Sequence, residues 1–221
     1  VRGPILFDLN ENFVTAWDKA EGQGSKFFWH PERKEIKPQV FEKPTLQLGK
    51  GEMAQICRTQ PQEGERAILN LYQIALSNAR QYVYFENQYF RYKELADLIR
   101  NVRRKLKQNG WKRDFYIFVV TNVPPDAGRV NTYEMLAALG KASTMPTIHK
   151  KEGSNEPSSE AALRKADLDG IHIHVATLAT CAQIGQEMRY KEIYVHSKLM
   201  LIDDVFFTLG SANVNVRSME A

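Results

Sequence analysis

The stretch YVHSKLMLIDD, residues 194–204, sets a histidine and a lysine two apart in an apolar run that ends in two aspartates. The run reads as a strand, and VFFTLGSA (205–212) reads as its partner, joined to it near Asp203-Asp204. On a strand, side chains two apart point to the same face, about 7 Å from each other. His196 and Lys198 are therefore expected to share a face with Met200 and Ile202, while Asp203 has the opposite parity. Two neighbouring cations raise each other's cost of being charged. Burying both is costly unless an anion sits between them. A phosphate answers that need: lysine supplies a point charge, and histidine exchanges a proton near neutral pH. A solvated edge strand whose His196 and Lys198 face only water fits the same stretch when it is read alone.

Moving outward, IHIHVATL (171–178) is another strand, and FYIFVVTN (115–122) is an uninterrupted apolar run expected to be covered on both faces. QYVYFENQYF (81–90) is aromatic and β-branched, a strand by propensity. Between these lie helical patterns. Apolar residues at 68, 72, 75, 76 and 79 form one stripe, and Leu95, Leu98, Ile99, Val102 and Leu106 form a second that ends at Asn109-Gly110. A helix is also expected over 129–142 and a short one over 160–167, with a loop at 143–159. Near the start, 1–17 reads as a short strand and a helical turn anchored by Phe7, Phe13 and Trp17, and 22–44 as Gly- and Pro-punctuated loop. Strands alternating with helices imply a layered α/β domain. No internal repeat is visible.

The 221 residues fit one large domain, and 43% hydrophobic with 25% charged residues is ordinary globular composition. No run reaches the ~18 apolar residues of a membrane span, and no cleavable signal pattern is present. A net charge of +4 permits an anionic partner without demanding one. Cys57 and Cys181 are too few for a disulfide framework and lack metal-ligand spacing. The chain begins at Val1 rather than at a methionine, as a piece of a longer polypeptide would.

His196, Lys198 and Asp203 followed by Gly210, Ser211 and Asn213 stand in the register H-x-K-x4-D…G-S-A-N, and the last block runs on as GSANVNVRSM (210–219). This pattern resembles the phospholipase D superfamily. YVYFENQYF (82–90) is similar to the block that its two-motif members carry between their catalytic motifs, and GPILFDLNENFVTAW (3–17) to the segment after their first motif. The resemblance implies an α/β/α layered sandwich with a mixed sheet, one lobe of that fold. It divides the chain into 1–50, an inter-lobe segment following a missing first motif, and 51–221, a C-terminal catalytic lobe.

It also implies a reaction in which two such motifs meet across a pseudo-two-fold axis. One histidine attacks phosphorus to form a phosphohistidine. The other protonates the leaving alcohol and then activates water. By position His196 is the acid–base partner and Lys198 the phosphate clamp, with Ser211 and Asn213 as supporting donors and Asp203 holding the strand turn. Glu86, Asn87 and Gln88 are expected beside the site as supporting residues; capping or cross-linking of strands is their other reading. No cofactor is implied, and divalent-cation dependence is left open.

Two departures follow. No second H-x-K-x4-D exists here: neither His172 nor His174 has a lysine two positions on, and His149-Lys150-Lys151 sits in an expected loop without the aspartate of the motif. The nucleophilic histidine must come from an N-terminal half or a second copy of the chain. An acidic residue that in the family lies just beyond the RSM stretch and orients a catalytic histidine is also expected to be lost at Ala221.

The blocks look closest to bacterial effectors delivered by type VI secretion into a target-cell periplasm or a host cell, with a phospholipid membrane surface and an immunity protein as partners and no nucleic acid. A homodimeric nuclease of the superfamily, a phosphatidyl transferase and a lobe without catalysis are the rival readings. Around the second helix, Arg91, Lys93, Arg100, Arg103, Arg104, Lys105, Lys107, Lys112 and Arg113 form either a site for anionic headgroups or a solvated face. Phe27, Phe28 and Trp29 suit either a membrane interface or packing between lobes. His30 and His149 have no ligand partners in the sequence.

Overall fold

A computed structural model describes residues 5–21, 53–124, 126–141, 168 and 170–220. It divides into two compact units, Val1–Cys57 and Arg58–Ala221. In the first, α1 (Ile5–Glu21) is a single helix where a strand and a turn were expected. Leu6, Leu9, Phe13 and Trp17 recur at helical spacing. Phe13 and Trp17, one turn apart, bring their rings to 5.6 Å. Asp8 in the first turn and Lys19 in the last complement the helix dipole. The expected loop at 22–44, with Phe27–Trp29 and His30, lies outside the described residues.

The second unit starts with the short pair β1 (Thr59–Gln60) and β2 (Glu65–Arg66) and runs into α2 (Ala67–Asn78). There follow β3 (Tyr82–Asn87), β4 (Phe90–Arg91), α3 (Lys93–Gln108), β5 (Phe115–Val120) and α4 (Asp126–Ala138). After these come β6 (Ile171–Ala176), a hairpin of β7 (Leu178–Ile184) and β8 (Glu187–Ile193), then β9 (Lys198–Ile202), β10 (Phe206–Leu209), β11 (Val214–Asn215) and the short α5 (Val216–Met219). The expected loop at 143–159, with His149, and the helix at 160–167 lie outside the described residues.

The main sheet has the order β10-β9-β3-β5-β6. β3, β5 and β6 are parallel, while β9 is antiparallel to both β3 and β10. The fold is thus mixed α/β on a mixed sheet. Both steps β3–α3–β5 and β5–α4–β6 cross the sheet in the same direction, so the right-handed crossover rule puts α3 and α4 on one face. That face holds the core. Val83, Phe85, Phe115, Ile117, Val119, Ile173, Met200 and Ile202 pack with Leu69, Tyr72, Leu76, Leu95, Ile99 and Met135 from the helices.

The opposite face is another matter. Along β5 buried and exposed side chains alternate, with Tyr116 and Phe118 at 42% and 38% exposure, so among the described residues this strand is covered on one face and not on two. His172 and His174 lie on this open face. His172 stacks on Tyr116 and holds Asp114 at 3.0 Å, and His174 stacks on Phe118.

Several cations around α3 have structural partners. Arg103 is buried, its guanidinium donating to the carbonyls of Arg80 and Arg113 and lying 4.9 Å from the Phe115 ring centroid. Lys93 and Arg100 flank Asp97, Lys107 reaches Asp114, and Arg91 lies over the Tyr89 ring. α3 leads into the N-terminal end of β5. Its basic C-terminal half therefore sits at the pole of the sheet opposite the end where His196 lies.

Candidate functional site

β3 and β5 end, and β9 begins, at the same edge of the sheet. Open parallel sheets place sites at this end, beyond the carboxyl termini of their strands. Residues 194–197 connect β8 to β9 outside any ladder, so His196 precedes the strand instead of belonging to it. The expectation of a shared face therefore holds for Lys198, Met200 and Ile202, which are buried together, and not for His196, where strand parity has ended. His196 is exposed, with its ring stacked on that of Tyr194 at 6.3 Å. Lys198 is only 6% exposed. Its Nζ turns back along the chain and donates to the His196 carbonyl at 2.6 Å and to Gln88 Oε1 at 2.9 Å. Burial pushes the Lys198 ammonium below the ordinary lysine range. The paired cations of the sequence thus become an exposed imidazole with a desolvated ammonium tethered to its own backbone.

The three polar residues that close β3 divide the labour. Gln88 is the hub: besides Lys198 it engages Tyr194, donating from Nε2 to the hydroxyl at 2.6 Å, and its N–H donates to the Ser197 carbonyl at 3.2 Å. Asn87 is fully buried. Its Oδ1 accepts from the N–H groups of Tyr89 and Val214, and its Nδ2 donates to the Ala212 carbonyl at 3.4 Å, pinning the GSAN loop against β3. Glu86 accepts from the Ser197 hydroxyl and, at 2.7 Å, from Tyr84. Strand cross-linking and proximity to the site are here the same role, because each of the three residues has a bond that ends on the His196–Lys198 segment or the GSAN loop.

The hydrogen bond from Ser197, and next that from Tyr84, hold the Glu86 carboxyl below the usual carboxylate range. A carboxyl whose folded pKa is depressed contributes stability that is present above its unfolded pKa and lost as the pH falls through the folded one. Wild type is therefore expected to be more stable than Glu86→Gln at pH 7, with a smaller difference at pH 3. Urea unfolding at the two pH values checks this, and an equal difference at both would exclude it.

Within the GSAN loop, the Gly210 N–H donates to the Lys198 carbonyl at 3.2 Å, which ties the loop to the first residue of β9. Asn213 Oδ1 is buried and has no hydrogen-bond partner among the described residues. Ser211 is exposed.

Asp203, grouped with His196 and Lys198 by the motif, is not brought to them. It sits at the far end of β9, roughly 16 Å away along a strand rising about 3.3 Å per residue. There its carboxylate accepts from three consecutive backbone N–H groups, those of Arg80, Gln81 and Tyr82, at 2.7, 2.9 and 2.8 Å. Asp203 and Asp204 both have positive φ, 52° and 58°, a conformation that Asp and Asn tolerate better than most residues, and the Val205 N–H closes the turn on the Ile202 carbonyl. Asp203 thus holds the turn at the end of β9 away from His196 and Lys198. Glu220, directly after the RSM stretch, is engaged by the Tyr92 hydroxyl.

The sequence reading missed Asn122. It closes β5, and its carboxamide reaches Val195 and Gln88. An asparagine before Val-Pro-Pro looks like a turn former, and nothing local announces a tertiary clamp. A cleft of about 420 Å³ opens beside it, lined by Gln88, Tyr89, Phe90, Asn122, Glu192 and Tyr194 among others. Among the described residues no group of three or more His, Cys, Asp or Glu side chains could hold a metal ion, and no helix is long and apolar enough to cross a membrane.

A profile of the family described as Phospholipase D matches residues 163–221, the segment that contains His196, Lys198 and the GSAN loop. Over that segment the chain is similar to the phospholipase D superfamily. It is 28% identical over 163 residues to Phospholipase D A of Dictyostelium discoideum, covering 70% of this chain and 12% of that protein. Identity is also 28% over 169 residues to human Phospholipase D1, with 70% of this chain and 15% of that protein covered. Over 71 residues it reaches 41% to Phospholipase D alpha 1 of Nicotiana tabacum, 32% of this chain and 7% of that one. The chain therefore spans a small part of the relatives it matches. NucT from Helicobacter pylori shares 17% identity at a TM-score of 0.36, covering 70% of this chain and 72% of that one, a distant likeness on which nothing below rests.

Proposed function

We propose that this chain is the C-terminal catalytic lobe of a phosphodiesterase that hydrolyses glycerophospholipids to phosphatidic acid and a free head group. The observation that carries the reading is an exposed His196 whose backbone carbonyl accepts from a buried Lys198 ammonium that Gln88 also holds. A desolvated cation next to an accessible acid–base group is what an anionic phosphodiester needs. The phospholipase D relatives support a phospholipid as the substrate.

In the first step a histidine of the other motif attacks phosphorus. The bond to the head-group oxygen breaks, and His196 donates the proton that the departing alcohol takes. In the second step His196 removes a proton from water, the water oxygen bonds to phosphorus, and the phosphohistidine bond breaks to release phosphatidic acid. Lys198 steadies the phosphoryl oxygens in both steps, with Ser211 and Asn213 as further donors, and no cofactor is required. The nucleophile comes from an N-terminal half carrying the first H-x-K-x4-D, in the same gene product or a second copy. Residues 1–50 link that half to the lobe at 51–221. The enzyme works peripherally on a membrane surface as a bacterial type VI secretion effector, toxic to a target cell and neutralised in its producer by an immunity protein.

The purified, monodisperse monomer of this chain is expected to release no phosphatidic acid from vesicles of phosphatidylethanolamine and phosphatidylglycerol. Activity is expected on addition of the first-motif half. Robust turnover by the monomer would refute the need for a counterpart. Cleavage of plasmid DNA by the assembled protein, with vesicles left intact, would replace the lipid substrate by nucleic acid. Ethanol included in the assay separates hydrolysis from transfer, because a transferase would form phosphatidylethanol.

A further inference from the structure

The segment that presents His196 has a missing backbone rung. Gln88 N–H to Ser197 carbonyl is the last main-chain bond that β3 gives it, because the chain then turns away into β4. Two residues further back, Val195 is buried, at 3% exposure, and its N–H and C=O still need partners. Both are satisfied by one side chain. Asn122 Oδ1 accepts from the Val195 N–H at 2.7 Å, and Asn122 Nδ2 donates to the Val195 carbonyl at 2.8 Å. The same Nδ2 donates to the Gln88 carbonyl at 3.2 Å. A carboxamide presents one donor and one acceptor side by side, as a peptide does, so it replaces the absent strand residue by residue.

From this geometry we infer that Asn122 is the positioning residue of the acid–base histidine, a role that rests on the phosphodiesterase reading above. Asn122 directs the hydrogen bonds of its carboxamide to the Val195 backbone and the Gln88 carbonyl and not to the imidazole. It fixes the backbone directly before His196 and, through the Gln88 carbonyl, the residue whose side chain holds Lys198. The imidazole-bearing backbone and the ammonium are thereby referenced to a single point just beyond the end of β5. Without the clamp the Val195 N–H and C=O lose their partners, and 194–197 keeps the bonds to the His196 and Ser197 carbonyls and the side-chain bonds of Tyr194 and Ser197, so the backbone directly before the imidazole is no longer fixed. Displacement of about 1 Å at a reacting group is enough to cost roughly 10²-fold in rate.

The test uses the assembly that carries both motifs. Asn122→Ala is expected to lower kcat about 10²-fold, leave KM within about twofold and blunt the limb of the kcat–pH profile that reports His196. Asn122→Asp keeps the acceptor for the Val195 N–H but turns a second acceptor toward two carbonyls, so it is expected to do no better than alanine. Leu69→Ala, which empties a core position on α2 outside the site, serves as the stability control; it should lower Tm with kcat unchanged. An unaltered kcat and pH profile in Asn122→Ala would overturn the assignment, as would a loss that Leu69→Ala reproduces. A second readout needs no catalysis. Hydrogen exchange at the Val195 amide of the isolated chain should accelerate at least tenfold in Asn122→Ala, and an unchanged rate would remove the clamp itself. Accelerated exchange in a protein that cleaves no phosphodiester would leave the clamp intact and sink the functional reading.

Discussion

His196→Ala, introduced into an assembly that carries both motifs, is expected to lower phospholipid turnover toward 10⁴-fold, about the upper end of what a general acid–base group contributes. Its effect on stability should be within about 0.5 kcal/mol, since the ring is exposed and its described ring contact is with exposed Tyr194. A sharper form of the experiment separates the two steps. With a phosphodiester whose leaving group is a nitrophenolate, departure needs no protonation, so the variant should still form the phosphohistidine. Water activation should remain crippled. One equivalent of nitrophenolate would then appear in a burst, followed by a slow steady state. Absence of the burst together with full loss of activity would point to His196 as the nucleophile instead, and undiminished turnover would remove it from the mechanism.

Lys198→Met is expected to lose about 10²–10³-fold in kcat, the range seen when a preorganised donor is taken from developing charge, and to unfold no more easily than wild type. Two opposed effects set the stability. Methionine gives up the hydrogen bonds to Gln88 and the His196 carbonyl, and it also removes an ammonium that is 6% exposed. Burying an ion costs several kcal/mol, about the same as two charge-assisted hydrogen bonds return. The direction of the pKa shift supplies a second check. A lysine whose folded pKa is lowered is more easily deprotonated in the native state, so native stability rises with pH as the ordinary lysine range near about 10.4 is approached from below. Wild type should show that rise relative to Lys198→Met in denaturant titrations between pH 7 and 10. A large stability loss in the variant at pH 7 would mean that the lysine is there to hold the fold.

Much of this architecture was legible because it is written locally. Apolar stripes marked α2 and α3, and apolar runs marked β3, β5 and β6. The pairing of β9 with β10 through Asp203-Asp204 followed from two short apolar runs around a turn-forming pair. The motif spacing pointed to the same end of the sheet where His196, Lys198, Gln88 and Asn213 now stand. Other features were present in the sequence and misread. Leu6, Leu9, Phe13 and Trp17 carry the helical period of α1, but Gly3-Pro4 and the short apolar start suggested a strand. β7 and β8 gave no signal, since LATCAQI and EMRYKEI lack an apolar face and all their residues are exposed. The basic run around α3 could not be resolved into buried, paired and free charges until Arg103 was found among Arg80, Arg113 and Phe115.

By itself the sequence determined α2, α3 and most strands of the main sheet, the mixed α/β class and the chemical character of one pole, because these depend on residue type and spacing within a dozen positions. Tertiary structure alone decided which face of the sheet is covered, that His196 lies beyond the strand and Asp203 at its far end, and that Asn122, more than seventy residues away in the chain, completes the backbone beside the imidazole. A hydrogen bond between distant residues leaves no trace in local periodicity. It exists only once chain crossovers of fixed hand have brought the ends of β3, β5 and β9 together.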